Sequence, residues 1–356
     1  MPTKSSVLEF CIGLQIVIVL SVLPSLVNAQ SDQGGTTQVD TAKVRTEAGR
    51  LVQSPDPVFK PFQMPKMDST QIADMGFDQV YKSVPLKFVM RDGKTLHAER
   101  FPQESATTII LLHGVLSSSY TMNRMAGLLR EAAGAEVIAL DIRGHGQSDG
   151  RPGDVDYIDQ YTDDLADVIT AVIKSKPGGR IIIAAHSMGG GIALRYAMKK
   201  HVPEVSGYLL FSPLLGNNSP TLPSGEADTA GAFLKINIMR IIGLKMYNSI
   251  GVHTYDSLPV LFFNLPKGMP LNKYSYRSNQ SMAPEDYKAG LHAVKSPLLV
   301  IVGSKDEAFV VKEFEPAVRN NSAGEVVIID GATHDGVRHN TTAMSAAGAW
   351  FKSLGK

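Results

Sequence analysis

Cysteine is almost missing from this sequence: the 356 residues hold one, Cys11, inside an N-terminal apolar run. That scarcity argues against a disulfide framework, a thiolate zinc site and a cysteine nucleophile, and leaves oxygen and imidazole to carry any chemistry. An excess of one charge is missing too, since 35 Lys and Arg stand against 34 Asp and Glu for a net charge of +1. No broad basic surface for nucleic acid follows from such a balance. Charged residues make up only 19 % of the chain against 44 % hydrophobic, which excludes global disorder. The common cofactor fingerprints are also lacking. There is no G-x-G-x-x-G after the first parallel strand, no P-loop and no H-E-x-x-H, so neither a cofactor nor a metal is expected.

Long apolar runs are confined to the N-terminus. Lys4 precedes an apolar stretch over residues 10–23, followed by Pro24 and the small-residue pattern Val27-Asn28-Ala29. This order predicts a signal peptide over 1–29 cut after Ala29, and a secreted or periplasmic protein. The alternative is an uncleaved membrane anchor, because the apolar span to Val27 nearly reaches the ~20 residues a bilayer needs. Residues 30–75 are polar and turn-rich, with Pro55, Pro57, Pro61 and Pro65, and read as a linker or extension.

From residue 76 to 356 the pattern changes. Two apolar segments, 84–90 and 95–101, flank Arg91-Asp92-Gly93-Lys94, where Asp-Gly supplies the positive φ angles of a hairpin turn. Short runs rich in Ile, Val and Leu follow at 108–112, 136–140, 180–185, 207–211, 297–302 and 326–329, continuous instead of alternating. Strands of this kind are buried on both faces, as in a parallel sheet covered by helices. Tyr157, Tyr161, Leu165, Ile169 and Val172 recur at helical spacing before the strand at Arg180. The expectation is an α/β fold with a doubly wound, mostly parallel sheet. Between Phe211 and Pro297 lie far more residues than the ~12 a crossover needs, so a helical cap is expected over about 213–290. Its apolar residues Phe233, Ile238, Ile241 and Phe262 either line an acyl cleft or only pack the insertion on the sheet.

Ala185-His186-Ser187-Met188-Gly189 sits between a strand and a helical run. A serine on such a sharp turn exposes its hydroxyl above the sheet edge, and small residues two before and two after let strand and helix approach; Ser187 is the expected nucleophile. A serine needs a base, and the base an orienting carboxylate. His334 and Asp306 each lie just past a strand, in Gly331-Ala332-Thr333-His334 and Gly303-Ser304-Lys305-Asp306, at the edge where α/β sites form. Glu307 and Asp330 are the weaker acids and His339 the weaker base. The N–H groups of Val115 and Met188 are the expected oxyanion donors. His113 is expected to orient its loop, and the run from Asp141 to Ser148 to form a hydrogen-bonded turn at the site rim.

With these pieces in place, the chain resembles the α/β-hydrolase superfamily, and within it the monoacylglycerol lipase and lysophospholipase-like group often classed with serine aminopeptidases. The matching motifs are His113-Gly114, Asp141-Ile142-Arg143-Gly144-His145-Gly146-Gln147-Ser148, His186-Ser187-Met188-Gly189-Gly190, Gly303-Ser304-Lys305-Asp306 and Gly331-Ala332-Thr333-His334. Ala185 stands where the motif has Gly, and Asp335 where many relatives carry Glu. The resemblance implies a capped serine hydrolase with the triad Ser187, Asp306 and His334. The expected activity is cleavage of a lipid-like monoacyl ester, with an exopeptidase-like amidase, an acyltransferase or a non-catalytic binding protein as alternatives. The expected partner is a small-molecule or lipid ester, with transient contact at a membrane surface and no nucleic acid.

Overall fold

The computed structural model describes residues 40–63, 66–223 and 233–354. The expected signal segment, 1–29, lies outside the described residues. Two helices come first, α1 (Thr41–Val52) and α2 (Ser69–Asp74), then strands β1 (Val84–Val89), β2 (Thr95–Phe101) and β3 (Thr107–Leu112). Helices and strands alternate next: α3 (Asn123–Ala133), β4 (Glu136–Leu140), α4 (Gln160–Ser175), β5 (Arg180–His186), α5 (Met188–Met198) and β6 (Gly207–Phe211). The insertion holds β7 (Leu234–Ile236), α6 (Ile238–Ser249), β8 (Pro259–Phe263), β9 (Lys273–Ser275), α7 (Tyr276–Ser281) and α8 (Tyr287–Ala293). The chain closes with β10 (Leu298–Lys305), α9 (Phe314–Arg319), β11 (Glu325–Thr333) and α10 (Thr341–Ser353).

Eight strands form one sheet in the order β1-β2-β4-β3-β5-β6-β10-β11. The β1/β2 and β2/β4 pairings are antiparallel and the rest parallel. Every residue of β3, β4 and β6 is buried, as the continuous apolar runs require. Alternation along β3 divides the core: Ile110 and Leu112 join a cluster with Val168 and Ile169 of α4 and Ile192 of α5, while Ile109 and Leu111 join Met125 and Leu129 of α3 and Trp350 of α10. Burying each such side chain stabilises by about 1.5–3 kcal/mol, so the sheet is fixed from both faces. The mostly parallel, doubly wound α/β architecture is the expected one.

Three expectations need correction. The hairpin after β1 has a positive φ only at Gly93 (79°), while the Asp92 carboxylate accepts the Lys94 N–H and pairs with Arg143 at 2.8 Å. The cap is not purely helical, because β7, β8 and β9 make a three-stranded antiparallel sheet within it. The segment read as a linker is structured from Thr41 to Val52. Helix α1 starts on Asp40, whose carboxylate accepts the N–H groups of Ala42 and Lys43, and buries Val44, Ala48, Leu51 and Val52. Those four lie on one helical face and pack against α6, where a Cβ on Gly243 would come within 2.8 Å of the Ala48 carbonyl oxygen. Beyond α1 the chain stays on the cap: buried Arg240 reaches Asp56 at 2.7 Å and donates to the Val52 carbonyl at 3.2 Å.

Candidate active site

Parallel strands bring their C-terminal ends to one edge of the sheet, and the predicted catalytic residues follow three of them. After β5 the chain turns through Ser187 with φ 53° and ψ −119°, then enters α5 at once. A non-glycine residue in such a conformation carries strain of order 1–3 kcal/mol and persists only where its surroundings fix it. Here the Ser187 N–H donates to the Phe211 carbonyl at 3.1 Å, and its own carbonyl accepts the Leu214 N–H at 3.0 Å. Any Cβ at position 189 would fall 2.7 Å from the Leu112 carbonyl oxygen, so glycine is needed two residues on.

Asp306 and His334 arrive together because β10 and β11 are parallel neighbours whose last paired residues are Lys305 and Thr333. An irregularity makes this work. The register runs from Gly303 opposite Ile329 to Lys305 opposite Thr333, so β11 spends two extra residues and delivers His334 level with Asp306. His334 Nδ1 lies 3.1 and 3.0 Å from the two Asp306 oxygens, and Asp306 Oδ1 also accepts the N–H groups of Ala308 at 2.9 Å and Phe309 at 3.1 Å. A carboxylate only accepts, so Nδ1 carries the proton and Nε2 is left with a lone pair. The His334 peptide is clamped as well: its N–H donates to Glu307 Oε2 at 3.0 Å, and its carbonyl accepts from His186 Nε2 at 3.0 Å. The His334 ring lies 4.7 Å from the His186 ring and 5.3 Å from Phe309. Burial alone would depress the His334 pKa, but the Asp306 charge and hydrogen bond outweigh it and raise the pKa above its ordinary value. Burial pushes Glu307 up from the usual carboxylate range and His186 well below that of an imidazole. Among the described residues no hydrogen bond joins Ser187 Oγ to His334.

The loop after β3 faces Ser187: a Cβ on Gly114 would lie 3.6 Å from Ser187 Oγ. Buried His113 accepts the Ile142 N–H on Nε2 at 3.0 Å, so Nδ1 donates to the Gly114 carbonyl at 2.7 Å. In a trans peptide that carbonyl and the Val115 N–H point opposite ways, so His113 turns the Val115 N–H away from itself. Met188 opens α5, and its N–H has no helical carbonyl four residues back. The run from Asp141 to Ser148 is a hydrogen-bonded turn: Asp141 accepts the N–H groups of Ser119 at 2.6 Å and Gln147 at 2.8 Å, and Arg143 pairs with Asp164 at 2.6 Å.

The other predicted residues divide. Asp330 bonds Ser304, and His339 is buried against Gly76, its pKa pushed down to about 3 by burial, so neither joins the Asp306–His334 pair. In the cap, Phe233 meets Phe263 edge-on at 5.7 Å, and Phe263 meets Tyr274 the same way. Alternation along β8 puts Phe262 on the opposite face from Phe263, so Phe233 and Phe262 do not line one wall. Ile241 is half-buried against the main core cluster, while Ile238, the first residue of α6, belongs to neither cluster. Sequence reasoning missed Tyr274 and gave His186 no role, although His186 sits inside the matched motif. Among the described residues no group of three or more His, Cys, Asp or Glu side chains is arranged to hold a metal ion.

Comparison with known proteins shows what the chain as a whole is similar to. The family model described as "Serine aminopeptidase, S33" matches residues 103–253. The uncharacterised hydrolase YugF of Bacillus subtilis is 28 % identical over 144 residues, 40 % of this chain and 50 % of YugF, so the chain spans about half the length of that relative. A monoacylglycerol lipase of Mycolicibacterium smegmatis is 29 % identical over 218 residues, covering 57 % of this chain and 71 % of the lipase. Among solved structures, the Pyrococcus furiosus esterase Pf2001 superposes with a TM-score of 0.51 at 18 % identity, covering 84 % of this chain and 99 % of the esterase, an agreement of fold.

Proposed function

We propose that the chain, whose motifs and fold resemble those of the α/β-hydrolase superfamily, is a serine hydrolase that cleaves a carboxylic ester through an acyl-Ser187 intermediate. The observation that carries this reading is the Asp306–His334 pair, with its proton fixed on Nδ1, at the same sheet edge as the strained Ser187 turn. His334 Nε2 takes the hydroxyl proton as Ser187 Oγ attacks the ester carbonyl. The N–H groups of Val115 and Met188 bind the oxygen that becomes negative, and preformed donors of this kind are worth about 10²–10³ in rate each. Collapse expels the alcohol with the proton held by His334. Water then attacks the acyl-serine, giving its proton to His334 and releasing the acid and free Ser187.

A lipid-like monoacyl ester is the substrate class we favour, supported by the apolar residues of the cap, whose Tyr274 bonds the loop that faces Ser187, and by the likeness to a monoacylglycerol lipase. The description of the matching family model favours a second reading, an exopeptidase-like amidase on the same residues. p-Nitrophenyl esters of graded chain length, run beside aminoacyl anilides, separate the two: turnover of esters that rises with chain length supports the first, and turnover of anilides alone overturns it. Export remains part of the proposal, supported by the order of charged, apolar and small residues over 1–29.

A further inference from the structure

The oxyanion loop is held by the cap as well as by the sheet. Leu116, next to Val115, has φ 57°, a left-handed conformation that costs a leucine about 1–2 kcal/mol. Its N–H donates to the Tyr274 hydroxyl at 2.8 Å, and Tyr274 belongs to β9 of the cap. The same hydroxyl lies 2.9 Å from His145 Nε2, and His145 Nδ1 lies 3.0 Å from the Arg143 carbonyl. The direction of every bond follows. A carbonyl only accepts, so His145 Nδ1 carries the hydrogen; burial keeps the ring neutral, so Nε2 accepts from the phenol, whose oxygen is left to accept from Leu116. Tyr274 is fully buried, with Phe263 edge-on at 5.7 Å, so its ring has little freedom to release the hydroxyl.

Val115 therefore sits between two pins. His113 holds the carbonyl of the peptide before it, and Tyr274 holds the N–H of the peptide after it. Both pins lead back to the turn from Asp141 to Ser148, one through the Ile142 N–H and the other through the Arg143 carbonyl. We infer that Tyr274 is a positioning residue of the cap that fixes the Val115 N–H for the reaction, making an assembled oxyanion hole depend on a seated cap. The inference rests on the serine-hydrolase reading. A loop left to relax from φ 57° would swing the Val115 donor off the developing charge, while substrate binding elsewhere would be unchanged.

The test is Tyr274→Phe, the loss of one oxygen, beside Tyr161→Phe. The Tyr161 hydroxyl also joins the body to the cap, bonding Ser278 Oγ at 2.8 Å, but it does not touch the oxyanion loop. With p-nitrophenyl acetate, Tyr274→Phe should lower kcat about ten- to hundredfold with KM changed less than twofold, a fraction of the full loss of one donor. Affinity for an alkyl boronic acid, whose tetrahedral serine adduct mimics the charged intermediate, should fall in step. Amide exchange at Leu116 should quicken. Tyr161→Phe should lower the melting temperature comparably while leaving kcat within about twofold. Equal kcat losses in the two variants, or a loss carried by KM with boronate affinity intact, would overturn the positioning role. Ser187→Ala separates the layers: full turnover in that variant removes the serine-hydrolase reading itself, whereas no turnover there with an unaffected Tyr274→Phe removes only the role of Tyr274.

Discussion

Ser187→Ala deletes one oxygen from a turn whose shape is held by main-chain bonds to Phe211 and Leu214, so the fold should survive while ester turnover falls by on the order of 10⁴ or more. Unchanged melting with abolished p-nitrophenyl ester hydrolysis is the expected pair of results, and retained turnover would displace Ser187 as nucleophile. His334→Ala should match that loss, whereas His339→Ala should spare kcat, since His339 is packed on Gly76 and shares no hydrogen bond with Asp306 among the described residues. Glu307 invites a finer measurement. His334 must be neutral to accept a proton, so kcat/KM should rise with pH through its pKa, which stands above the ordinary value. Glu307→Gln keeps an oxygen for the His334 N–H but removes a charge that favours the protonated ring. The acid limb of the pH profile should then move to lower pH, and an unmoved limb would show that Glu307 holds the peptide without tuning the ring. The positions of Ser187, Asp306 and His334 at the sheet edge were legible in the sequence because each lies just past an apolar run. Tyr274 was not, because its role depends on a contact across 158 residues and on the direction of a proton that only the neighbouring carbonyl reveals.

At the scale of elements, strands β3 to β6 could be read to within one residue at each end, since a strand buried on both faces has no polar interruption to blur its ends, whereas β10 and β11 run on to Lys305 and Thr333, past the expected ends at 302 and 329. Two features escaped. The irregularity between β10 and β11 leaves no mark in composition, yet it sets His334 beside Asp306. Helix α1 carries a legible signal, Asp40 as cap followed by Val44, Ala48, Leu51 and Val52, but the prolines after it dominate the segment and read as linker. Its docking predicts that Leu51→Ala, at a site 6 % exposed, costs about 2–3 kcal/mol locally. Hydrogen exchange should report that cost in α1 and α6 and leave β3 and β5 unchanged; uniform loosening of the whole chain would mean that α1 is integral to the main core.

For the whole molecule, the histidines decide how stability responds to acid. His113, His145, His186 and His339 are held neutral by burial, with folded pKa values below the ordinary one, about 3 for His145 and His339. The unfolded chain binds protons at these groups below about pH 6.5 while the folded chain does not, so their stability is intact above that pH and lost as it falls. Their combined contribution falls as the pH drops through that range, and His334, raised by Asp306, works in the opposite sense. From pH 7.5 to 5.5 stability should fall, measured as a lower urea midpoint; a midpoint constant over that range would contradict the buried neutral rings. The docking of α1 on α6 has a mechanical consequence. Because α1 rests on α6 of the cap and the chain joins the sheet only at β1, tension applied at residue 40 reaches the contact of α1 with the cap before it reaches β1. A surface or bead attached there grips the enzyme by its lid.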